Sequence, residues 1–210
     1  ITTRLVGSEM CIRDSHSTGL DRTTISAGDN LVLKAGQDIN ARAAALAAEK
    51  SVGLQAGRDV NLAAEETIQG DSYKSGRKKV INESVRQSGT DITAGGNVTV
   101  IAGRDVTAQA ADVYAAGNTA VAAGRDITLS TATESDYTYR EEKKTSGGFL
   151  SKKTTHTIHE ETHTREKGTQ LSGDNVALRA GNNLTVQGSS VAAERDVALK
   201  AGNDMTCLLY

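Results

Sequence analysis

One phrase recurs along this 210-residue chain and fixes what it can fold into. The phrase is Ala-Gly, any residue, Asp or Asn, then an aliphatic residue. It stands at Ala35–Ile39, Ala56–Val60, Ala102–Val106, Ala123–Ile127, Ala180–Leu184 and Ala201–Met205. Ile39 and Val60, Val106 and Ile127, and Leu184 and Met205 are each 21 residues apart. A second station precedes the first by eight residues: Leu31/Val52, Val98/Thr119 and Val176/Val197. A third completes the set at Ile25/Leu46, Ile92/Val113 and, less regularly, Leu171/Val191. The steps between stations are 6, 8 and 7, with one slip, since Leu171 and Val176 are five apart.

Most stations are followed two residues later by another apolar or small residue, as in Leu31/Leu33, Val52/Leu54, Val60/Leu62, Val98/Val100 and Leu184/Val186. Alternation with period two marks a short strand with one buried face. The third station is followed instead by Ala or Gly (Ile25/Ala27, Val113/Ala115, Leu171/Gly173), which calls for close backbone approach on that side. Three short strands per 21 residues, separated by Gly, Asp and Asn corners, describe one coil of a parallel β-helix. A single coil cannot bury its inner face, so neighbours must cover it. Six coils stacked at ~4.8 Å make a rod of roughly 29 Å. Composition agrees. With no Pro, no Trp, one Phe and 21 Gly, the interior must be filled by Ala, Val, Leu and Ile.

Asn30, Asp38, Asp59, Asn97, Asp105, Asn118, Asp126, Asn175, Asn183, Asp196 and Asp204 each sit one residue before a station. Such residues tolerate left-handed backbone and bond their own backbone two residues on. A column of Asp would repel itself, and Arg58, Arg104 and Arg125 directly precede Asp59, Asp105 and Asp126. These arginines are expected to neutralise part of the column. The stretch Ala41–Lys50 has high helix propensity. The register carries its Leu46 and Val52 onto the positions of Val113 and Thr119, so strand is expected there instead.

The repeat is interrupted twice, and the expected organisation follows from the interruptions. Residues 20–67, 92–133 and 171–206 are coils, while 68–91 and 134–170 are insertions. Both insertions are charged and without an apolar core, and the second is Thr-rich. Turn candidates at Ser75-Gly76-Arg77 and Ser146-Gly147-Gly148-Phe149 suggest long hairpins projecting from one corner. Disorder is the alternative, because polar hairpins without a partner face are marginal.

Several function classes are disfavoured. Acids (26) and bases (24) nearly cancel, which removes the electrostatic footprint of a nucleic-acid binder. No apolar run approaches the ~20 residues that span a bilayer. The string His159-Glu-Glu-Thr-His163 matches the H-E-x-x-H pattern of zinc proteases, in which two histidines on a helix bind zinc and the Glu is the base. Here it lies in a Thr-rich, strand-like insertion with no H-x-x-G-x-x-H extension. Its zinc-hydrolase reading is therefore a minor alternative, and His156, His159 and His163 are candidates only for incidental metal binding. Calcium is disfavoured because the corners lack the Gly-rich nonapeptide of calcium-binding β-helices. No catalytic or cofactor residue is assigned, and the chain is not read as an enzyme. Lys78-Lys79 and Lys152-Lys153 are candidates for contact with anionic glycans, or solubilising charges on an edge.

The repeated A-G-x-D-V phrases in 21-residue coils, broken by Lys/Thr/Gly-rich insertions such as KKTSGGFLSKKTTHT, resemble the haemagglutinin repeats of filamentous haemagglutinin. Similar repeats build the exoproteins of two-partner secretion, including contact-dependent inhibition toxins. The resemblance covers about residues 20–205. It implies a right-handed parallel β-helix in a long filament at the surface of a Gram-negative bacterium, secreted through an outer-membrane partner transporter. It supplies no catalytic residue to map. The function expected is a stalk for cell adhesion or contact-dependent competition, the alternative being that the insertions bind a glycan or receptor of a host or neighbouring cell. No signal peptide begins the chain, so an internal piece of a longer protein is expected, with cut ends able to associate end to end. Residues 6–15 also resemble translated sequencing-adaptor sequence, and 207–210 look alike. Residues 1–19 are accordingly read as a non-native or unstructured end, and Cys11 and Cys207 say nothing of redox compartment.

Overall fold

The computed structural model describes residues 11–148 and 151–209. All regular structure among them is β, and the chain divides into two compact units. One takes residues 20–66, 87–133 and 166–210. The other takes residues up to 19, with 67–86 and 134–165.

The first unit is a parallel β-helix of six coils, its strands numbered in chain order. The first sheet stacks β2 (Thr24–Ala27), β5 (Ala45–Ala48), β10 (Asp91–Ala94), β13 (Asp112–Ala115), β18 (Gln170–Gly173) and β21 (Ser190–Ala193). The second stacks β3 (Leu31–Ala35), β6 (Val52–Ala56), β11 (Val98–Ala102), β14 (Thr119–Ala123), β19 (Val176–Ala180) and β22 (Val197–Lys200). The third stacks β4 (Ile39–Arg42), β7 (Val60–Ala63), β12 (Val106–Gln109), β15 (Ile127–Ser130), β20 (Leu184–Gln187) and β23 (Met205–Leu208).

Every station pairs with its equivalent in the next coil. Ile25, Leu46, Ile92, Val113, Leu171 and Val191 form one column. Leu31, Val52, Val98, Thr119, Val176 and Val197 form the second, and Ile39, Val60, Val106, Ile127, Leu184 and Met205 the third. Stations of the middle coils are buried, with Val60, Ile92, Val98, Ile127 and Leu184 at 0% exposure. In the end coils Ile25, Val197 and Met205 are exposed, although Leu31 is still buried. Burial here is a property of the neighbouring coil, as stacking requires. The helix-prone Ala41–Lys50 stretch contributes the end of β4 and all of β5, because Leu46 and Ala48 fill the core only in a strand.

The corner residues act differently from the sequence expectation. Among the described residues only Ala43 and Ala110 are non-glycine positions with positive φ, so the Asp and Asn corners are not left-handed. Their side chains bond the next coil instead. Asp38 Oδ1 accepts the Asp59 N–H (3.2 Å), Asp59 Oδ1 that of Asp105 (3.3 Å) and Asp105 Oδ1 that of Asp126 (3.2 Å). Asp126 takes the Asn183 N–H (3.0 Å) and Asn183 that of Asp204 (3.3 Å). Each of the three arginines reaches back one coil. Nε of Arg58, Arg104 and Arg125 donates to Asp38 (2.8 Å), Asp59 (3.2 Å) and Asp105 (2.9 Å). Through the first four coils the column therefore alternates sign.

The second unit is one five-stranded sheet in the order β1 (Cys11–Ser17), β8 (Glu65–Ser75), β9 (Lys78–Ser88), β16 (Ala132–Gly148), β17 (Ser151–Lys167). The insertions are thus hairpins, and they are joined. Ser135–Glu142 of β16 pair antiparallel with Val85–Lys78 of β9. That pairing gives polar strands a ladder that an isolated hairpin lacks. Gly76, with φ 41°, makes the turn of the first hairpin, while Phe149, expected in the second turn, lies outside the described residues. Residues 1–19, read as non-native or unstructured, carry β1, which pairs antiparallel with β8 from Cys11 to Ser17. A ladder is made by backbone, so an open edge accepts almost any extended segment. Residues 1–10 and 210 lie outside the described residues, and 207–208 continue β23 opposite Val186 and Gln187.

Candidate functional site

Strand alternation decides what the histidine string can do. In β17, His159, Glu161 and His163 share one face, and His156, Ile158 and Glu160 share the other. His163 Nε2 lies 2.7 Å and His159 Nε2 3.6 Å from the Glu161 carboxylate. His163 is the main reason why the Glu161 carboxyl titrates below its usual range. Glu160, the would-be base of an H-E-x-x-H helix, accepts from the Tyr137 hydroxyl (3.0 Å). His156 is 2.7 Å from Glu141. The sheet therefore separates His156 from His159 and His163, and turns Glu160 away from the latter two. Among the described residues no group of three or more His, Cys, Asp or Glu is placed to hold a metal.

The rest of this sheet is a lattice of ion pairs. Arg86 and Ser84 bond Asp136 at 2.6 and 2.9 Å, and Arg86 chiefly holds its carboxyl below the ordinary value. Arg165 bonds Glu134 at 2.7 Å. Glu141 is depressed first by Lys143 and then by His156. A polar cavity of about 360 Å³ lies over His16, Gly70, Asp71, Asn82, Asp136 and Tyr137. Another, of about 230 Å³, is lined by Lys74, Arg77, Lys78, Lys79, Lys143 and Glu141. Lys78-Lys79 thus belong to a basic concavity, with Lys79 5.4 Å from the Tyr139 ring, while Lys152 and Lys153 are exposed on β17.

The sequence reading missed the Gly-Thr pair that closes each insertion. Thr90 and Thr169 are fully buried. Thr90 Oγ1 donates toward the carbonyls of Ala41 and Ala63 (3.1 and 3.2 Å), and Thr169 Oγ1 toward those of Ala108 and Ser130 (3.0 and 2.9 Å). Each hydroxyl bridges the third-sheet strands of the two coils before it. The signal was present in Gly89-Thr90 and Gly168-Thr169, each two residues ahead of a station.

The Asp column makes stability pH-dependent. The Arg58 and Arg125 hydrogen bonds hold the Asp38 and Asp105 carboxyls below 3.8. The folded state thus binds these protons less readily than the unfolded chain. The contribution is complete above about pH 4 and is lost as pH falls through the depressed native values. Thermal melts are expected to be flat from about pH 5 to 8 and to fall as the pH drops below about 4. An unchanged melting temperature at pH 3 would refute the role of the column.

The sequence profile of the hemagglutinin repeat matches residues 12–78, 70–155 and 147–208. The chain is similar to a 16S rRNA endonuclease CdiA of Enterobacter cloacae subsp. cloacae, with 65% identity over 165 residues, 79% of this chain and 5% of the relative. It is similar to a tRNA nuclease CdiA of Escherichia coli (strain STEC_O31), with 56% identity over 216 residues, 93% of this chain and 6% of the relative. A deoxyribonuclease CdiA of Dickeya dadantii is 44% identical over 183 residues, 86% of this chain and 5% of the relative. The chain thus spans about a twentieth of the length of these relatives. No solved structure matches.

Proposed function

The chain belongs to the hemagglutinin repeat family, and from that premise we propose that it is a stalk segment of a large secreted exoprotein at the surface of a Gram-negative bacterium. The same proposal extends to secretion through an outer-membrane partner transporter and to a role in adhesion or contact-dependent competition. The observation that carries the reading is the unbroken register of three ladders through six coils, filled by aliphatic side chains. Such a stack extends by adding coils and holds whatever lies beyond it at a distance. Further coils of a longer filament, or another copy end to end, would cover Ile25, Val197 and Met205. The nuclease names belong to relatives of which this stretch is a small part, and the proposal gives this stretch no catalytic step.

A second reading is favoured by the basic concavity around Lys74, Arg77 and Lys143, namely that the insertion sheet itself binds a glycan or receptor. One experiment separates the two. In the full-length exoprotein, residues 131–169 are replaced by Gly-Ser, the two-residue corner that joins β20 to β21 (Gly188-Ser189). The stalk reading expects cell binding and growth inhibition to persist at wild-type levels. Loss of cell binding with an unchanged β-rich circular dichroism spectrum would favour the second reading and sink the first.

A further inference from the structure

The one slip in the repeat makes a notch. Corners between the first and second sheets hold three residues, such as Gly95–Asn97, Ala116–Asn118 and Glu194–Asp196. The fifth coil has only Asp174 and Asn175 there. Backbone bonds show which place is empty. Gly95 N–H donates to Ala48 O, Ala116 to Ala94 and Glu194 to Gly173 (3.1, 2.9 and 3.0 Å), which marks the first corner place. Gly117 N–H donates to Gly96 O, Asp174 to Gly117 and Arg195 to Asp174 (2.8, 2.7 and 2.9 Å), which marks the second. Asp174 therefore follows Gly117, and the fifth coil has no residue at the place of Ala116 and Glu194.

The missing residue leaves a cavity of about 230 Å³ between coils four and six. Its wall is Tyr114, the one aromatic side chain among the described residues of the β-helix, and 52% exposed. Its rim carries Asp174 and Glu194, and its floor is Ser172, Gly173 and alanines. Asp174 is paired with Arg195 at 3.1 Å, whereas Glu194 is exposed with no ion pair among the described residues. Ser172 Oγ donates to Val113 O (3.2 Å), so its proton is used and its oxygen can still accept a hydrogen bond.

We infer that this notch binds a single neutral pyranose unit of a saccharide. A sugar ring offers a C–H face that packs on an exposed aromatic, and hydroxyl groups that donate to carboxylates. Small side chains let the ring reach the backbone, and the cavity has room for one ring. Carboxylates and a ring would also suit a cation, but one of the two carboxylates is already neutralised by Arg195. This site lies on the coils and is independent of the insertions and of the stalk reading.

The test titrates the intact chain with D-glucose, D-galactose and N-acetyl-D-glucosamine, and separately with tetramethylammonium chloride, by NMR. At least one sugar is expected to shift the Tyr114 and Ser172 signals with a dissociation constant on the order of millimolar, the range open to so small a ligand. Tyr114→Ala, and one Gly inserted between Gly173 and Asp174 to restore the three-residue corner, should each weaken binding at least ~10-fold. Tyr114→Phe should bind like wild type. Circular dichroism checks that each variant is folded. The proposal is overturned if no sugar saturates the chain by about 100 mM. It is equally overturned if Tyr114→Ala and the insertion variant, both folded, bind as wild type, or if tetramethylammonium binds more tightly than every sugar.

Discussion

Gly103→Ala is expected to destabilise the chain by about 3 kcal/mol, the upper end of the range for overpacking. The reason is a column of glycines at the corner between the second and third sheets. A Cβ built on Gly103 stands 2.2 Å from the Gly57 carbonyl oxygen and 2.9 Å from its carbon. The same clash recurs up the column, at 2.1 Å for Gly124 over Gly103 and 2.1 Å for Gly181 over Gly124. The obstacle is backbone, so no side chain can move aside. The backbone itself is held on both sides, because Gly103 N–H bonds Ala56 O (3.1 Å) and Arg104 N–H bonds Arg58 O (2.8 Å). Relief means separating the coils and breaking that ladder. Gly36 is the internal control. It occupies the same place in the first coil, where a Cβ meets nothing within 4 Å. Gly36→Ala should leave stability within ~0.5 kcal/mol, as an unobstructed surface change does. Urea melts of the two variants make the comparison, and equal effects would show that the column does not set the spacing.

That column was legible in the sequence as a recurring Ala-Gly, but its cause was not. The period places Gly57, Gly103 and Gly124 at equivalent positions, whereas the approach of a carbonyl from the neighbouring coil is a fact of stacking. The stations were legible because one buried face per strand imposes alternation, and neighbours 21 residues apart share it. The Arg58–Asp38 family was readable for the same reason, since a column of like charges needs neutralising. The Asp and Asn side chains were assigned to their own backbone because local bonds are what a linear string displays. Their true acceptors and donors lie one coil away. The pairing of β9 with β16 was illegible for a different reason. Their apolar residues are sparse and fall on both faces of β9 (Val80 against Ile81 and Val85), so no hydrophobic alternation fixes a register. The His159–His163 string was set aside on the sequence because its zinc chemistry needs a helix, and in β17 alternation turns Glu160 away from the face of His159 and His163. The slip at Leu171–Val176 was visible as a number, but the cavity it opens required knowing that Ala116 and Glu194 flank the vacancy.

Ile127→Asp is expected to abolish folding of the whole coil stack. Ile127 sits in the fourth coil at 0% exposure, paired with Val106 before it and Leu184 after it. The aspartate would stand among Val106, Leu129 and Leu184, all at 2% exposure or less. No basic side chain belongs to that buried cluster. An unpaired carboxylate in such a place costs several kcal/mol even after it takes up a proton. A marginally stable chain of this size has about 5–15 kcal/mol in total. Position in the stack sharpens the expectation, because each coil is covered only by its neighbours. Losing the fourth uncovers the stations of the third and fifth, so the damage spreads along the column. Ile127→Val, which removes one methylene and no polarity balance, should cost only about 0.5–1.5 kcal/mol. Met205→Asp supplies the positional contrast. Met205 shares the column of Ile127 but lies in the last coil at 45% exposure, where a carboxylate keeps access to water. Circular dichroism and urea melts should therefore find Ile127→Asp unfolded, Ile127→Val slightly weakened and Met205→Asp folded. A folded Ile127→Asp with wild-type spectrum would mean that the aliphatic columns are not what holds the coils together.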